Sequence, residues 1–101
     1  MGNWLDLKVR QYFADATITA GGTTGDQTIN KSLFSVNFGV GLSFLTVTNS
    51  LISTNSLVIC TPQKKGTLLT IAAEVHSGSV DLIGNAGADV ETKVACIVFN
   101  N

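Results

Sequence analysis

Charge is scarce in this chain. Lysine and arginine number six and aspartate and glutamate seven, together 13% of 101 residues, about half of the ~25% usual in globular proteins. The charges nearly cancel, to a net −1, and the one close basic cluster is Lys64-Lys65. A positive stripe able to follow a phosphate backbone is therefore missing, and nucleic acid is not an expected partner. Histidine occurs once, at His76, which rules out a two-histidine metal centre. Cys60 and Cys96 lack the Cys-x-x-Cys spacing of a thiolate site. Two cysteines do not make a disulfide-dense scaffold either. Both lie in apolar runs, LVIC and VACIVF, where free cysteine packs as a small hydrophobe. No apolar run approaches the ~20 residues of a membrane-spanning helix, and the opening MGNWLDLKVR has no signal-peptide core. Asp6 stands where a myristoylation motif needs serine or threonine. The expectation is a protein folded in a cytoplasm, without a membrane partner.

Catalytic equipment is equally sparse. There is no Gly-x-Ser-x-Gly elbow, and the lone His76 would have to serve as base for any serine or threonine nucleophile. The segment GGTTG shares only its glycines with a phosphate loop. It lacks the Gly-Lys-Ser/Thr ending, no helix pattern follows it, and it reads as a turn. Asp89 and Glu91 fit one strand face, yet acid–base chemistry also needs a cleft and a raised pKa. Solvated loop carboxylates are the simpler reading, with weak calcium binding across GNAGADVE the lesser one. His76, between Val75 and Ser77-Gly78, reads as an exposed turn residue. Asn30-Lys31-Ser32 is a sequon that means nothing without secretion. No enzyme activity, cofactor or metal is expected.

What the chain does have is serine, threonine and asparagine, 28 residues, with 10 glycines, one proline and a hydrophobic share of 45%. Threonine suits a pleated surface, while asparagine, serine and glycine suit turns. Short β-like runs alternate with turn clusters from about residue 15 onward: ATITA (16–20), QTIN (27–30), FSVNF (34–38), FLTVT (44–48), SLVICT (56–61), TLLTIAAEV (67–75), SVDLI (79–83) and KVACIVF (93–99). The ninemer at 67–75 has helix-forming residues, but its threonines, isoleucine and flanking glycine favour a strand. Alternation puts Phe34, Val36 and Phe38 on one side and Ser35 and Asn37 on the other, and opposes Leu45 and Val47 to Thr46 and Thr48. The aromatics Phe34, Phe38, Phe44 and Phe99 are expected to face the core. KVACIVF, more evenly apolar, is expected in the middle of a sheet. The chain thus reads as all-β, a single antiparallel β-sandwich of jelly-roll-like or immunoglobulin-like type, spanning 15–101.

Residues 1–14 read differently. In NWLDLKVRQYF, the residues Trp4, Leu5, Lys8, Val9, Tyr12 and Phe13 lie on a helical stripe, whereas Leu5, Leu7 and Val9 alternate as in a strand. A short N-terminal helix and an extended arm fit equally. This stretch holds the only tryptophan and the only tyrosine. It is expected to dock on a partner through Trp4, Leu5, Leu7, Val9, Tyr12 and Phe13. The tetrapeptide TNSL recurs at 48–51 and 54–57. Two copies are too few for a solenoid. They read as two turn-forming tetrads around a connection between strands, with Leu51 and Ile52 turned inward.

Several of these stretches, in order, resemble a small β-rich domain that recurs in virion proteins of tailed bacteriophages. The pattern comprises GTTGDQTINK (Gly22–Lys31), the VNF strand (Val36–Phe38), TVTNSL (Thr46–Leu51), SLVICT (Ser56–Thr61) and the closing Glu-Thr strand ending in VFN (Glu91–Asn100). The stretch PQKKGTLLTIAAEVHSGSVDLIG departs from it. The resemblance implies a structural role without catalytic residues. Domains of that family sit on capsids as decoration or cement, in head fibres and at the ends of tail proteins. It further implies location in the virion, after assembly in the host cytoplasm. The implied partners are the major capsid protein or other virion proteins and copies of the chain itself, as a homotrimer. The alternative it leaves open is a tail-tip or fibre domain that binds a host-surface receptor through loops such as 49–55 and 84–89.

Overall fold

A computed structural model describes residues 17–100, and the arm residues Trp4, Leu5, Leu7, Val9, Tyr12 and Phe13 lie outside that range. Each β-like run of the sequence forms a strand: β1 (Thr19–Ala20), β2 (Gln27–Thr28), β3 (Leu33–Phe38), β4 (Phe44–Thr48), β5 (Leu57–Pro62), β6 (Ile71–His76), β7 (Ser79–Gly84) and β8 (Thr92–Phe99). They make two four-stranded sheets, β1-β3-β8-β5 (sheet A) and β2-β4-β7-β6 (sheet B). The expected β-sandwich is what forms. Among the described residues no helix is long and apolar enough to cross a membrane.

The chain passes from one sheet to the other at every connection except the β6–β7 hairpin. Apart from that hairpin, successive strands therefore alternate between the two layers. Departures from the expected antiparallel order are confined to the two-residue strands β1 and β2, which pair in parallel with β3 and β4. The turn cluster GGTTGD carries the chain from the edge of sheet A to that of sheet B. Gln27 closes this loop, its Nε2 donating to the carbonyls of Thr23 at 3.2 Å and Gly25 at 2.8 Å. A Cβ at Gly21 would meet the Gln27 side-chain amide, so a larger residue there would have to displace it from these bonds.

Between the sheets lies a core of alternate residues: Phe34, Val36 and Phe38 of β3, Leu45 and Val47 of β4, Val80 and Leu82 of β7, and Val94, Cys96 and Val98 of β8. Two of the expected core aromatics do not belong to it. Phe44 is 51% exposed and Phe99 43% exposed, since alternation within β4 and β8 gives the inner face to Leu45 and Val98. Leu51 is also exposed, while Ile52 beside it is buried. Residues 67–70 precede β6 instead of extending it. There Leu69 N and Thr70 N donate to Asn85 Oδ1 at 2.7 and 3.0 Å, which replaces strand pairing.

β8 lies between β3 and β5, the central position expected of KVACIVF. Its register sets Cys96 directly across from Cys60. Both thiols are free, with Cys96 buried and Cys60 half-buried. A hydrogen bond with Cys60 and then burial push the Cys96 thiol far above its ordinary pKa. In the unfolded chain Cys96 ionises near ~8.5. A pKa raised by folding contributes stability that is intact below this value and lost as pH rises above it. Cys96 is therefore expected to resist iodoacetamide in the folded protein and to react once the chain is unfolded in urea, as read by mass spectrometry of the alkylated peptides. The alkaline fall in the urea midpoint should be smaller in Cys96→Ala. Rapid alkylation of Cys96 in the native protein would contradict this placement.

Candidate assembly interface

In an antiparallel sandwich the outer face of each sheet is ordinarily polar, so that strands alternate apolar-in and polar-out. Sheet A breaks that rule over half of its outer face. Of the β5 residues that point away from the core, Leu57 and Ile59 are 58% and 52% exposed, and Thr61 follows them. Those of β8 include Ile97 and Phe99. Register places Leu57 across from Phe99, and Ile59 across from Ile97, which in turn faces Leu33 of β3. Five large apolar side chains thus adjoin across three strands. Ile18, just ahead of the edge strand β1, is exposed as well. The other end of the face is polar, with Asn37 opposite Lys93. A contiguous apolar patch of this kind marks an interaction surface, whereas isolated exposed hydrophobes do not.

This face explains the even apolarity of β8 more fully than its central position does. Val94, Cys96 and Val98 serve the core, while Ile97 and Phe99 serve the outer surface. The same double apolarity in SLVICT, where Val58 is buried and Leu57 and Ile59 are not, is a signal readable in the sequence. Reading Phe99 as core concealed it.

The two TNSL segments sit together at one end of the sandwich and play unequal parts. Asn49 is fully buried. Its Nδ2 donates to Lys31 O at 2.6 Å and its Oδ1 accepts from Leu51 N at 3.0 Å. Its backbone N–H donates to Gly78 O, and Gly78 N–H donates to Ile52 O. Gly78, at φ +84° in the β6–β7 turn, is thereby tied to the first TNSL turn. Asn30 Oδ1 accepts from Ser50 N at 2.9 Å. In the second segment Asn55 is exposed, and Ser56 is the buried member, donating to Asn100 Oδ1. Asn100 Nδ2 in turn donates to Leu51 O at 3.0 Å. The loop 49–55 is thus braced from several sides.

At the opposite end, Asp89 and Glu91 do not act as a pair on one strand, because β8 begins only at Thr92. Asp89 Oδ1 accepts from Thr67 N at 3.0 Å, and Thr67 Oγ1 donates to Gly87 O at 2.6 Å. The Thr67 N–H is the main cause holding the Asp89 carboxyl below its ordinary pKa. Asp89 is an exposed loop carboxylate, as expected, and it also ties its loop to Thr67. Glu91 is exposed.

The outer face of sheet B carries a polar cluster that the spacing of residues alone did not suggest. Glu74 and His76 alternate on β6, and Glu74 pairs in register with Asp81 of β7, which pairs with Thr46 of β4. His76 Nε2 lies 3.1 Å from Asp81 Oδ2 and 3.3 Å from Glu74 Oε1. A hairpin turning at Ser77-Gly78 makes Glu74 and Asp81 partners, and that register was inferable from AEVHSGSVD. His76 is exposed, as expected, but it ends strand β6 instead of lying in the turn, and it is not solitary. No protein-family model, curated protein or solved structure matches this chain.

Proposed function

We propose that this chain is a non-enzymatic structural protein of a tailed-phage virion, a decoration or cement protein that stabilises the head by packing against capsid subunits. The observation that carries this reading is the apolar outer face of sheet A, formed by Leu33, Leu57, Ile59, Ile97 and Phe99. A face of this composition gains ~25 cal/mol for each Å² of apolar surface removed from water, which favours a protein neighbour over solvent. The resemblance of the TNSL, SLVICT and VFN segments to virion domains supports the identity of that neighbour. The scarcity of charge agrees with it, because such a surface has little to resist self-association. Copies of the chain, as a homotrimer, would present three such faces and raise occupancy by avidity.

The arm is assigned the second contact of the same attachment, through Trp4, Leu5, Leu7, Val9, Tyr12 and Phe13. The described chain starts at Thr17, just ahead of β1, which is the edge strand of sheet A opposite β5.

Cosedimentation of purified protein with emptied phage capsids tests this. Ile59→Lys, at an exposed position, is expected to keep the melting temperature near wild type and to lower capsid occupancy at least tenfold. Removal of residues 1–13 is expected to reduce occupancy independently. Unchanged occupancy in both variants defeats the proposal. Absence of capsid binding by wild type, together with saturable binding to host cells, would favour the fibre reading instead.

A further inference from the structure

The cluster on sheet B has the make-up of a metal site. We propose that Glu74 Oε1, His76 Nε2 and Asp81 Oδ2 bind a divalent transition metal of the zinc class. Three observations converge on this. First, the spacing fits. Zinc bonds of ~2.0–2.2 Å to nitrogen and carboxylate oxygen place tetrahedral ligands about 3.3–3.5 Å apart. The imidazole nitrogen stands 3.1 and 3.3 Å from the two carboxylate oxygens, and all three ligand atoms lie within 4.8 Å of one another.

Second, the charges are unbalanced without a cation. Glu74 and Asp81 are direct cross-strand partners, an arrangement in which like charges repel. Among the described residues, His76 makes every ion pair that involves these carboxylates. Its Nε2 can carry a single proton, which points along one line. The hydrogen bond goes to Asp81, and Glu74 is left at ion-pair distance only. A metal ion satisfies both carboxylates and the nitrogen lone pair at once.

Third, the site is partly organised in advance. Asp81 Oδ1 accepts from Thr46 Oγ1 at 2.8 Å, which turns Oδ2 toward His76. Thr46 is itself fixed through its backbone N–H, 2.8 Å from Asp26 Oδ1. Outer hydrogen bonds of this type orient metal ligands and raise affinity. The three ligands come from the two strands of one tight hairpin, so little conformational order has to be added on binding. One imidazole with two carboxylates suits zinc, nickel or copper. Calcium, which takes 6–8 oxygen ligands, is poorly served. The fourth coordination position faces outward, because Glu74 and His76 are exposed.

The test is calorimetric titration of the metal-stripped full chain with zinc chloride at neutral pH, with calcium chloride as control. One zinc per chain is expected, with micromolar affinity and no saturable heat from calcium. Cobalt in place of zinc should give the intense visible bands of tetrahedral coordination. His76→Ala and Glu74→Gln, both at exposed positions, are expected to fold normally by circular dichroism and to weaken zinc at least tenfold. Thr46→Val should weaken it by about tenfold through the loss of its hydrogen bond to Asp81. Absence of saturable zinc binding up to millimolar concentration overturns the proposal. So does equal affinity in His76→Ala and Glu74→Gln, or an octahedral cobalt spectrum.

Discussion

Phe34→Ala is expected to lower the stability of the folded chain by about 3–5 kcal/mol, whereas Phe99→Ala and Phe44→Ala should each change it by less than about 1 kcal/mol. Phe34 is fully buried on the central strand β3. Its neighbours in the core come from both sheets and are held by the backbone ladders, so they cannot collapse into the space it leaves. Loss of transfer energy and retention of a cavity then add together. For a domain of this length, total stability is on the order of 5–15 kcal/mol, so the variant loses a large part of it. Phe44 and Phe99 point outward, and truncating them leaves no cavity. Equilibrium urea unfolding followed by far-ultraviolet circular dichroism separates the three. Equal losses in Phe34→Ala and Phe99→Ala would mean that the outer face of sheet A is core after all. On the proposed function, Phe99→Ala should instead show its effect in capsid occupancy.

Asn49→Ala carries the second large effect, about 2–3 kcal/mol, against less than about 0.5 kcal/mol for Asn55→Ala. The two residues occupy the same place in identical tetrapeptides. Asn49 is buried, and its amide satisfies Lys31 O and Leu51 N. Alanine removes both partners at once. A group left unpaired away from water costs about 1–3 kcal/mol, and partial access of solvent to this end of the sandwich keeps the total at the lower side of the sum. Asn49→Asp keeps an acceptor for Leu51 N but sets a buried carboxylate against Lys31 O, so at neutral pH it should be at least as destabilising as alanine. Asn55 is exposed, so its replacement disturbs little. Urea midpoints of the four proteins decide the matter, and similar losses at positions 49 and 55 would refute the unequal roles.

These contrasts show where sequence reading succeeds and where it stops. Strand positions were legible because alternation of apolar and polar residues has a period of two that only a strand satisfies, as in FSVNF and FLTVT. The centrality of β8 was legible from its even apolarity. The same evenness hid the outer apolar face, since a residue such as Phe99 looks alike whether it points toward a core or a partner. The exchange of Phe99 for Val98 on the inner side is a matter of strand parity, and parity is set by the pairing of Ile97 with Leu33 and Ile59.

By itself, the order of residues determined the secondary structure, the sandwich class and the lack of a basic surface. Those depend on local periodicity and on composition. The tertiary structure decided which of two identical TNSL segments is buried, which phenylalanines are core, and that Glu74, His76 and Asp81 meet. The first of these depends on the docking of Asn49 against Gly78 and Lys31, and the last on the register of one hairpin beside β4. The Asn49 contacts join residues distant along the chain and exist only once the fold is assembled, whereas the Glu74–His76–Asp81 cluster is local to one hairpin and needs only its register.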